Sequence, residues 1–216
     1  MDHKDRIVIF PKVSIGSGAR IDPFVILGRP PEGVSPGDLP LSLGNDALIR
    51  SHTVIYAGTQ IGDAFQTGHH VLIREHCKVG DKCSVGSGCV VEFSVTIGRG
   101  VRLHSQAFVP EYCVIEDGCW IGPGAALTNC KYPESKDAKK NLRGVTLKRG
   151  VILGARAIVL PGIVVGEKAL IGAGSVVVSD VAPGMVMAGN PARIIGEVAK
   201  LRDEQSGLLL YGEPTQ

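Results

Sequence analysis

The chain has 216 residues, of which 23 are Lys or Arg and 21 are Asp or Glu, so its formal net charge is +2. That near-balance predicts no nucleic-acid partner and no anionic membrane partner. The first residues lack the apolar stretch of a signal peptide, and no apolar run approaches the roughly 20 residues that cross a bilayer, so we expect a cytoplasmic protein.

A repeat of six residues begins near the start of the chain. An aliphatic residue recurs every sixth position from Ile9 to Leu27, and residues 29–40, rich in Pro and Gly, then interrupt the pattern. The repeat resumes from Leu43 to Leu127, where fourteen of the fifteen positions are aliphatic. Such regularity indicates an array of identical short elements rather than a mixed fold.

A second interruption divides the repeat near its end. Residues 131–144 are strongly charged and predict a protruding loop, after which the six-residue pattern runs from Leu147 to Val177. We predict one domain over 1–196, with loops at 29–40 and 131–144, and a cap or tail over 197–216. Residues 197–207 could form a short helix that caps the last coil.

The repeat predicts an all-β solenoid. In each six-residue unit the first and third residues are small or apolar, and residues two apart point to the same side of a strand. Glycine, 29 residues in all, often occupies the fourth position, where a turn is expected. Three strands and three turns would form a coil of 18 residues, with coils stacked about 4.8 Å apart.

Tandem units of an aliphatic residue followed by Gly resemble those of the hexapeptide-repeat acyltransferase family, whose fold is a left-handed parallel β-helix. The handedness rests on the resemblance, since general rules favour right-handed crossovers. The similarity covers about residues 7–196 and is most typical over IGAGSVVVSDVAPGMVMAGNPARIIGEV (171–198). The segment EYCVIEDGCWIGPGAALTNCKYPES (111–135) resembles the branch that N-acetylates nucleotide-linked amino sugars, including its Thr-Asn pair, here Thr128-Asn129.

The resemblance implies transfer of an acyl group, most often acetyl from acetyl-CoA, by a homotrimer that acts in polysaccharide or glycan synthesis. In this family coenzyme A lies in a groove between subunits, held by turns of the later coils and by basic residues. The matching positions of this chain are Gly154, Ala155, Gly172, Ala173, Lys148, Arg149 and Arg193.

A coil of 18 residues places outward residues in columns. Glu75, Glu111 and Asn129 share one column, so Glu111 and Asn129 should be neighbours, and His52 should stack on His70. Asn129 is the candidate that orients an amine, and Glu111 the candidate that accepts its proton. The catalytic candidates also include His104, and the acceptor-binding candidates are His69, His70, Glu75 and Lys131.

The cysteines and histidines predict no metal site. Five of the six cysteines occupy the first position of a repeat unit, which indicates small core residues. His69 and His104 are 35 residues apart, close to the spacing in the zinc-binding γ-class carbonic anhydrases, but no third histidine follows His104. The remaining cysteine, Cys130, lies at the start of the second loop.

Three functions remain open at this point. The first is N-acylation of a nucleotide-linked amino sugar. The second is O-acylation of a sugar or another small hydroxyl compound, in which His104 or His69 of a neighbouring subunit would be the base. The third is a non-catalytic scaffold that keeps only the repeat.

Overall fold

In the computed structural model, residues 6–211 are described. They wind into a three-sided solenoid in which successive strands belong to three parallel sheets, named A, B and C here. Leu72 lies opposite Val54 and Val90, each 18 residues away, so the predicted coil length is confirmed by the register.

Each sheet contains one strand from every coil, and the strands are two to six residues long. Over residues 6–211, sheet A comprises β1 (Val8–Ile9), β4 (Ile26–Arg29), β7 (Val54–Tyr56), β10 (Leu72–Ile73), β13 (Val90–Val91), β16 (Phe108–Val109), β19 (Ala126–Leu127), β22 (Ile158–Val159) and β25 (Val176–Val177). Sheet B comprises β2 (Val13–Ile15), β5 (Leu41–Leu43), β8 (Gln60–Ile61), β11 (Lys78–Val79), β14 (Thr96–Ile97), β17 (Val114–Ile115), β20 (Thr146–Leu147) and β23 (Val164–Val165). Sheet C comprises β3 (Arg20–Ile21), β6 (Leu48–Ile49), β9 (Gln66–Thr67), β12 (Ser84–Val85), β15 (Arg102–Leu103), β18 (Trp120–Ile121), β21 (Ile152–Leu153), β24 (Leu170–Ile171), β26 (Met185–Gly189) and β27 (Ala192–Glu197).

The core is the narrow space between the three sheets. It is filled by the aliphatic third residue and the small first residue of each unit, such as Ile73 and Cys77, both fully buried. Thr67 occupies an aliphatic position, and its hydroxyl accepts a hydrogen bond from the N–H of Arg50 at 2.9 Å and lies 3.3 Å from the hydroxyl of Thr53. The one polar exception in the pattern is therefore satisfied inside the core.

Both interruptions of the repeat leave the solenoid at the same corner. We name the corners by the sheets that they join: A–B, B–C and C–A. Residues 30–40 connect β4 to β5, and residues 128–145 connect β19 to β20, so both loops protrude from the A–B corner. The second loop contains a 3-10 turn over Ala138–Asn141. Several turns of this corner, including 92–95 and 110–113, lie between the two loops, whereas the turns over 10–12 and 160–163 lie outside that interval.

The C-terminal end differs from the sequence prediction. Strands β26 and β27 form an antiparallel hairpin, with a cis peptide bond between Asn190 and Pro191, in place of another parallel coil. Of the short helix or tail expected after the last coil, a 3-10 turn forms over Val198–Lys200, and the Asp203 carboxylate then accepts hydrogen bonds from the N–H groups of Gln205 and Ser206 in a further turn. Residues 1–5 of the predicted domain and 212–216 of the predicted tail lie outside the described residues.

Within residues 6–211, no helix is both long enough and apolar enough to cross a membrane.

Candidate active site

Asn129 and Glu111 form a hydrogen-bonded pair at the A–B corner, where the second loop begins. The amide Nδ2 of Asn129 donates to Oε2 of Glu111 at 2.6 Å and to its main-chain oxygen at 3.3 Å. Asn129 is 8% exposed, whereas Glu111 is half-buried, so water is largely excluded from the Asn129 side of the pair. Because both partners are acceptors, the NH2 group must face Glu111, which leaves the amide carbonyl to accept a hydrogen bond from a ligand.

Hydrogen bonds fix both ends of the second loop next to this pair. The N–H of Arg143 donates to the main-chain oxygen of Asn129 at 2.8 Å, and the N–H of Gly162 donates to the oxygen of Arg143 at 2.9 Å. The hydroxyl of Thr128 donates to the oxygen of Val159 at 3.0 Å. These bonds hold the start and the end of the loop against the next coil, so its arch stands above the solenoid.

A cavity of about 460 Å³ lies beneath the loop. Its wall comprises Cys130, Lys131, Tyr132, Ser135, Ala138, Asn141, Arg143, Pro161 and Gly162. The Lys131 ammonium lies 5.4 Å from the centre of the Tyr132 ring, which is a cation–π contact. Two cationic side chains and several hydroxyl and amide groups therefore surround a space that begins one residue after Asn129.

An ion-pair network occupies the two coils that precede Glu111 at the same corner. Both carboxylate oxygens of Glu75 accept hydrogen bonds from Arg74 at 2.8 Å, and Arg74 also contacts Glu92 at 3.5 Å. The Arg74 guanidinium lies 5.0 Å from the centre of the Tyr56 ring. Glu75 was a candidate for binding the acceptor. Both of its carboxylate oxygens already accept hydrogen bonds from Arg74, so they are occupied by this ion pair.

The sequence reasoning missed Arg74 and Glu92. Burial raises the pKa of Glu92, and the nearby charges of Glu111 and Glu75 raise it further, while Arg74 opposes them. Arg74 and Glu92 each lie one position after the inward residue of a sheet A strand. The column that contains Glu75, Glu111 and Asn129 lies two positions after that residue. Arg74 and Glu92 are 18 residues apart, so they form a second column, next to the column of Glu75 and Glu111.

The histidine candidates lie at the C–A corner, across sheet A from Asn129. His52 and His70 stack with their ring centres 4.6 Å apart, as predicted. Nδ1 of His69 lies 2.8 Å from the hydroxyl of Ser51. Within one chain, therefore, the histidines and the Glu111–Asn129 pair do not meet.

His104 has an unusual environment at that corner. Its ring packs against Trp120 with the centres 4.5 Å apart, and among the described residues its Nε2 is buried without a hydrogen-bond partner. Burial lowers the pKa of His104, and the charge of Arg102 lowers it further. The imidazole is thus favoured in its neutral form, which can accept a proton.

The candidate coenzyme A residues are divided between several places. Gly154, Ala155, Gly172 and Ala173 are in turns of the C–A corner, whereas Lys148 and Arg149 are at the B–C corner. At the B–C corner, Glu116 accepts a hydrogen bond from the Lys148 ammonium at 2.8 Å and another from the Arg149 N–H at 3.0 Å. Arg193 is in β27, and its guanidinium donates to the oxygen of Ala192 at 2.9 Å. One chain does not gather these residues around a single cleft.

The cysteines are core residues, as the repeat predicts. Cys77, Cys83, Cys89, Cys113 and Cys119 are buried free thiols, and burial raises the pKa of Cys77 and Cys119 to about 11 and that of Cys113 to about 12. Cys130 is half-buried in the wall of the loop cavity. Across residues 6–211, no three His, Cys, Asp or Glu side chains gather as metal ligands.

Comparisons with known proteins support the repeat and the fold. A family model described as the hexapeptide repeat of succinyl-transferase matches residues 77–105 and 145–179. Among solved structures, LpxA, a UDP-N-acetylglucosamine acyltransferase from Bacteroides fragilis 9343, superposes with a TM-score of 0.72 at 16% identity. The superposition covers 89% of this chain and 73% of LpxA, and at that identity it shows the fold alone.

Two curated relatives share a shorter segment with the chain. It is 32% identical over 80 residues to the galactoside O-acetyltransferase of Escherichia coli (strain K12), covering 35% of this chain and 39% of that protein. It is 35% identical over 65 residues to the 2,3,4,5-tetrahydropyridine-2,6-dicarboxylate N-acetyltransferase of Staphylococcus aureus (strain JH9), covering 30% of this chain and 27% of that protein. The chain spans less than half of the length of these relatives. The repeat-model match, the three sheets of stacked strands and the superposition on LpxA together show that the chain has the left-handed parallel β-helix fold of hexapeptide-repeat proteins.

Proposed function

We propose that this protein is an N-acetyltransferase that moves the acetyl group of acetyl-CoA to the amino group of a nucleotide-linked amino sugar. The observation that carries this proposal is the Glu111–Asn129 pair, which holds a carboxylate and an amide carbonyl together one residue before the wall of the loop cavity begins at Cys130. The names of the two curated relatives, both acetyltransferases, support the acetyl donor.

The pair suits an amine acceptor because an amine needs less activation than a hydroxyl group. The Asn129 carbonyl would accept one N–H of the neutral amine and aim its lone pair at the thioester carbonyl carbon. The C–N bond forms, the C–S bond breaks, and the sulfur leaves as the thiolate of coenzyme A. Glu111 takes the proton that the nitrogen loses and returns it to the thiolate, so the step is balanced.

The loop cavity supports a nucleotide-linked acceptor. Lys131 and Arg143 are in its wall, and neither makes a salt bridge within the described part of the chain. A diphosphate is the anionic group that two such side chains would bind, by charge-assisted hydrogen bonds. With the diphosphate there, the attached sugar would lie against the Glu111–Asn129 pair.

For the donor, the proposal keeps the residues implied by the family resemblance. Gly154, Ala155, Gly172 and Ala173 would contact the pantetheine arm, and Lys148, Arg149 and Arg193 would meet its phosphates. Since these residues occupy different corners of one chain, the donor site requires adjacent subunits of a trimer. The charge of Lys148 is already shared with Glu116, which makes Arg149 the better phosphate ligand of the two.

A second candidate function is O-acylation with His104 as the base. The observation in its favour is the buried, unpartnered Nε2 of His104 together with a pKa that burial lowers. A neutral imidazole can take a proton from a hydroxyl group, which a carboxylate does less readily near neutral pH. The relation to a galactoside O-acetyltransferase is consistent with this alternative.

Thiol release from acetyl-CoA separates these functions. The acceptor panel would hold nucleotide-linked 3-amino and 4-amino sugars together with hydroxyl acceptors, and the variants would be Asn129→Ala, Glu111→Gln and His104→Asn, with the exposed Glu204→Gln as control. We expect release with one amino sugar and a loss of kcat of about 100-fold or more in Glu111→Gln, the usual range for a lost proton acceptor. Release with a hydroxyl acceptor that only His104→Asn abolishes would establish the alternative. If no coenzyme A binds, the protein is a scaffold.

A further inference from the structure

Three aromatic rings form a continuous stack along the C–A corner. Phe24 and His52 have their ring centres 5.0 Å apart, and His52 and His70 have theirs 4.6 Å apart, with planes tilted by 19° and 21°. The Arg6 guanidinium covers the outer face of Phe24 at 5.1 Å. The stack therefore begins at the first described residue and rises by one ring per coil.

The repeat itself produces this stack. Each ring belongs to the third residue after an inward residue of sheet C, and all three backbones are left-handed, with φ of 66°, 62° and 56° at Phe24, His52 and His70. Equal backbone conformations on successive coils point the Cα–Cβ bonds in the same direction. The rings are then separated by the coil spacing of about 4.8 Å, which is within the range of aromatic pairs.

The next position of the column has no ring. It is Gly88, with φ of 68°, and the position after it is Gln106, with φ of 63°. The N–H of Gly88 donates to the oxygen of His69, and that of Gln106 donates to the oxygen of Ser87, both at 2.9 Å, so the coils keep their register here. One face of His70 thus looks into a space at Gly88 where the sequence omits one side chain.

The side chain of Gln106 forms the other wall of that space. A Cβ placed on Gly88 would lie 3.6 Å from Cγ of Gln106. The Gly88 position is about one coil spacing, roughly 4.8 Å, from His70 on one side and from Gln106 on the other. A flat ring at that height would stack on His70 at the same distance as His52 does and would be covered by Gln106.

The rim of the space is polar. Ser87 and Ser105 precede Gly88 and Gln106 in the chain, and the Ser87 hydroxyl accepts a hydrogen bond from the N–H of His69 at 3.0 Å. Gln106 offers an exposed amide that both donates and accepts hydrogen bonds. A heterocycle has donors and acceptors along its edge that can pair with the Gln106 amide, which an aliphatic side chain cannot do. We propose that the slot between His70 and Gln106, open because residue 88 is glycine, binds the planar base of a nucleotide.

Two molecules carry a base of this kind in the proposed reaction: the nucleotide-linked acceptor and coenzyme A, whose base is adenine. Base binding at Gly88 does not depend on acyl transfer, because it can be measured with nucleotides that carry no sugar acceptor and no thioester. The slot can therefore be correct when the proposed reaction is wrong, and the converse also holds.

The first experiment titrates the intact protein with UMP, dTMP, GMP and 3′,5′-ADP, with ribose 5-phosphate as the base-free control. Calorimetry gives the affinity, and the ¹H–¹³C signals of the histidine rings report stacking by a ring-current shift. We expect at least one nucleotide to bind and to shift His70 far more than His76, which lies at the A–B corner, and ribose 5-phosphate to do neither. Binding of 3′,5′-ADP alone would assign the slot to coenzyme A, and binding of UMP, dTMP or GMP would assign it to the acceptor.

Variants then test the slot itself. Gly88→His fills it with the next ring of the stack, in a backbone conformation that His52 and His70 already adopt, and should abolish nucleotide binding. The matched control is Gly100→His, which has φ of 64° and no atom within 4 Å of the added Cβ, at the B–C corner. His70→Ala should weaken binding by about 5- to 150-fold, the usual range for a base stacked on an aromatic ring, and His70→Phe should restore it.

Two results would overturn the proposal. One is nucleotide binding that Gly88→His and His70→Ala both leave unchanged. The other is a protein that binds none of the nucleotides while its His70 signal stays still.

Discussion

The side chain of Asn129 gives its N–H groups to two oxygens of Glu111, so the pair depends on residue 129 being an uncharged donor. Asn129→Asp places a second carboxyl group 2.6 Å from the first. Two carboxylates at this distance share a proton, which raises the pKa of the pair in the folded state. A raised folded pKa gives stability at low pH that is lost as the pH rises.

We therefore expect Asn129→Asp to lower the free energy of unfolding by about 2 kcal/mol near pH 8 and by much less near pH 5. Urea unfolding at the two pH values measures this difference. Asn141→Asp, at an exposed position of the loop, makes the same chemical change and should be insensitive to pH over this range. An equal loss at both pH values in Asn129→Asp would show that repulsion with Glu111 is not its cause.

His104 predicts a pH dependence of the opposite sign. Its pKa is lowered by burial first and then by the charge of Arg102, so the unfolded chain binds a proton more readily than the folded chain does. The stability that neutral His104 contributes is complete above the unfolded pKa of about 6.5 and is lost as the pH falls through the folded value. The stability difference between the wild type and His104→Gln should shrink from pH 7.5 to 5, as followed by urea unfolding. A difference that stays constant would mean that the imidazole titrates as it does in water.

Side-chain pairs could be predicted from the sequence only where the repeat alone decides the contact. A period of 18 places Glu111 beside Asn129 and His52 beside His70, and both contacts form. It does not decide which neighbour a long side chain selects, so the pairing of Arg74 with Glu75 and Glu92 was missed. The placement of the histidines and Asn129 at different corners was also missed, although it follows from counting strands by threes.

Turns along the C–A corner show how closely the coils stack. A Cβ on Gly154 would clash with the main-chain nitrogen of Ala173. This packing gives Gly154 a structural role besides the contact with coenzyme A that the family resemblance implies. Its backbone cannot move away without breaking the hydrogen bond from its N–H to the oxygen of Ile171 at 2.7 Å.

Gly154→Ala should therefore lower the free energy of unfolding by about 1–3 kcal/mol, the usual cost of overpacking. Gly196→Ala is the matched control, because a Cβ there meets no atom within 4 Å and the backbone is not left-handed. Chemical denaturation of the two variants measures the difference. If Gly154→Ala and Gly196→Ala had equal free energies of unfolding, the turn would relax around the added methyl group, and Gly154 would have no structural role.

Loops and terminal elements were predicted less well than the coils. The breaks in the repeat locate both loops, but the period says nothing about the hydrogen bonds that anchor the second loop through Arg143, nor about the cavity beneath it. After Val177 the repeat ends, and no periodic pattern remains to distinguish the hairpin of β26 and β27 from a further coil or a helix. Where the fold ceases to be periodic, tertiary contacts decide the conformation.

The outer faces of sheets A and B differ in polarity. The residue before the inward position is apolar in every strand of sheet A: Val8, Ile26, Val54, Leu72, Val90, Phe108, Ala126, Ile158 and Val176. Arg29, at the end of β4, is an exposed charged exception on this sheet. The corresponding residues of sheet B are mostly polar: Ser14, Ser42, Gln60, Lys78, Thr96, Val114, Thr146 and Val164. An apolar face nine strands long, about 40 Å, is larger than a soluble monomer usually exposes. Sheet A borders the A–B and C–A corners, so a copy covering it would lie beside Asn129 along one edge and His104 along the other.

The apolar face predicts association of copies, and with the trimer that the family resemblance implies we expect the protein to be a trimer in solution that buries sheet A. Phe108 and Ile158, 39% and 36% exposed, are central to that face, so Phe108→Glu combined with Ile158→Glu should give monomers with an unchanged circular dichroism spectrum. Thr96→Glu combined with Thr146→Glu, on sheet B, is the matched control and should remain trimeric. Light scattering after size exclusion measures the mass of each. A trimer that survives both glutamates on sheet A would place the interface on another face, and the donor residues of the C–A and B–C corners would then have to meet around that face.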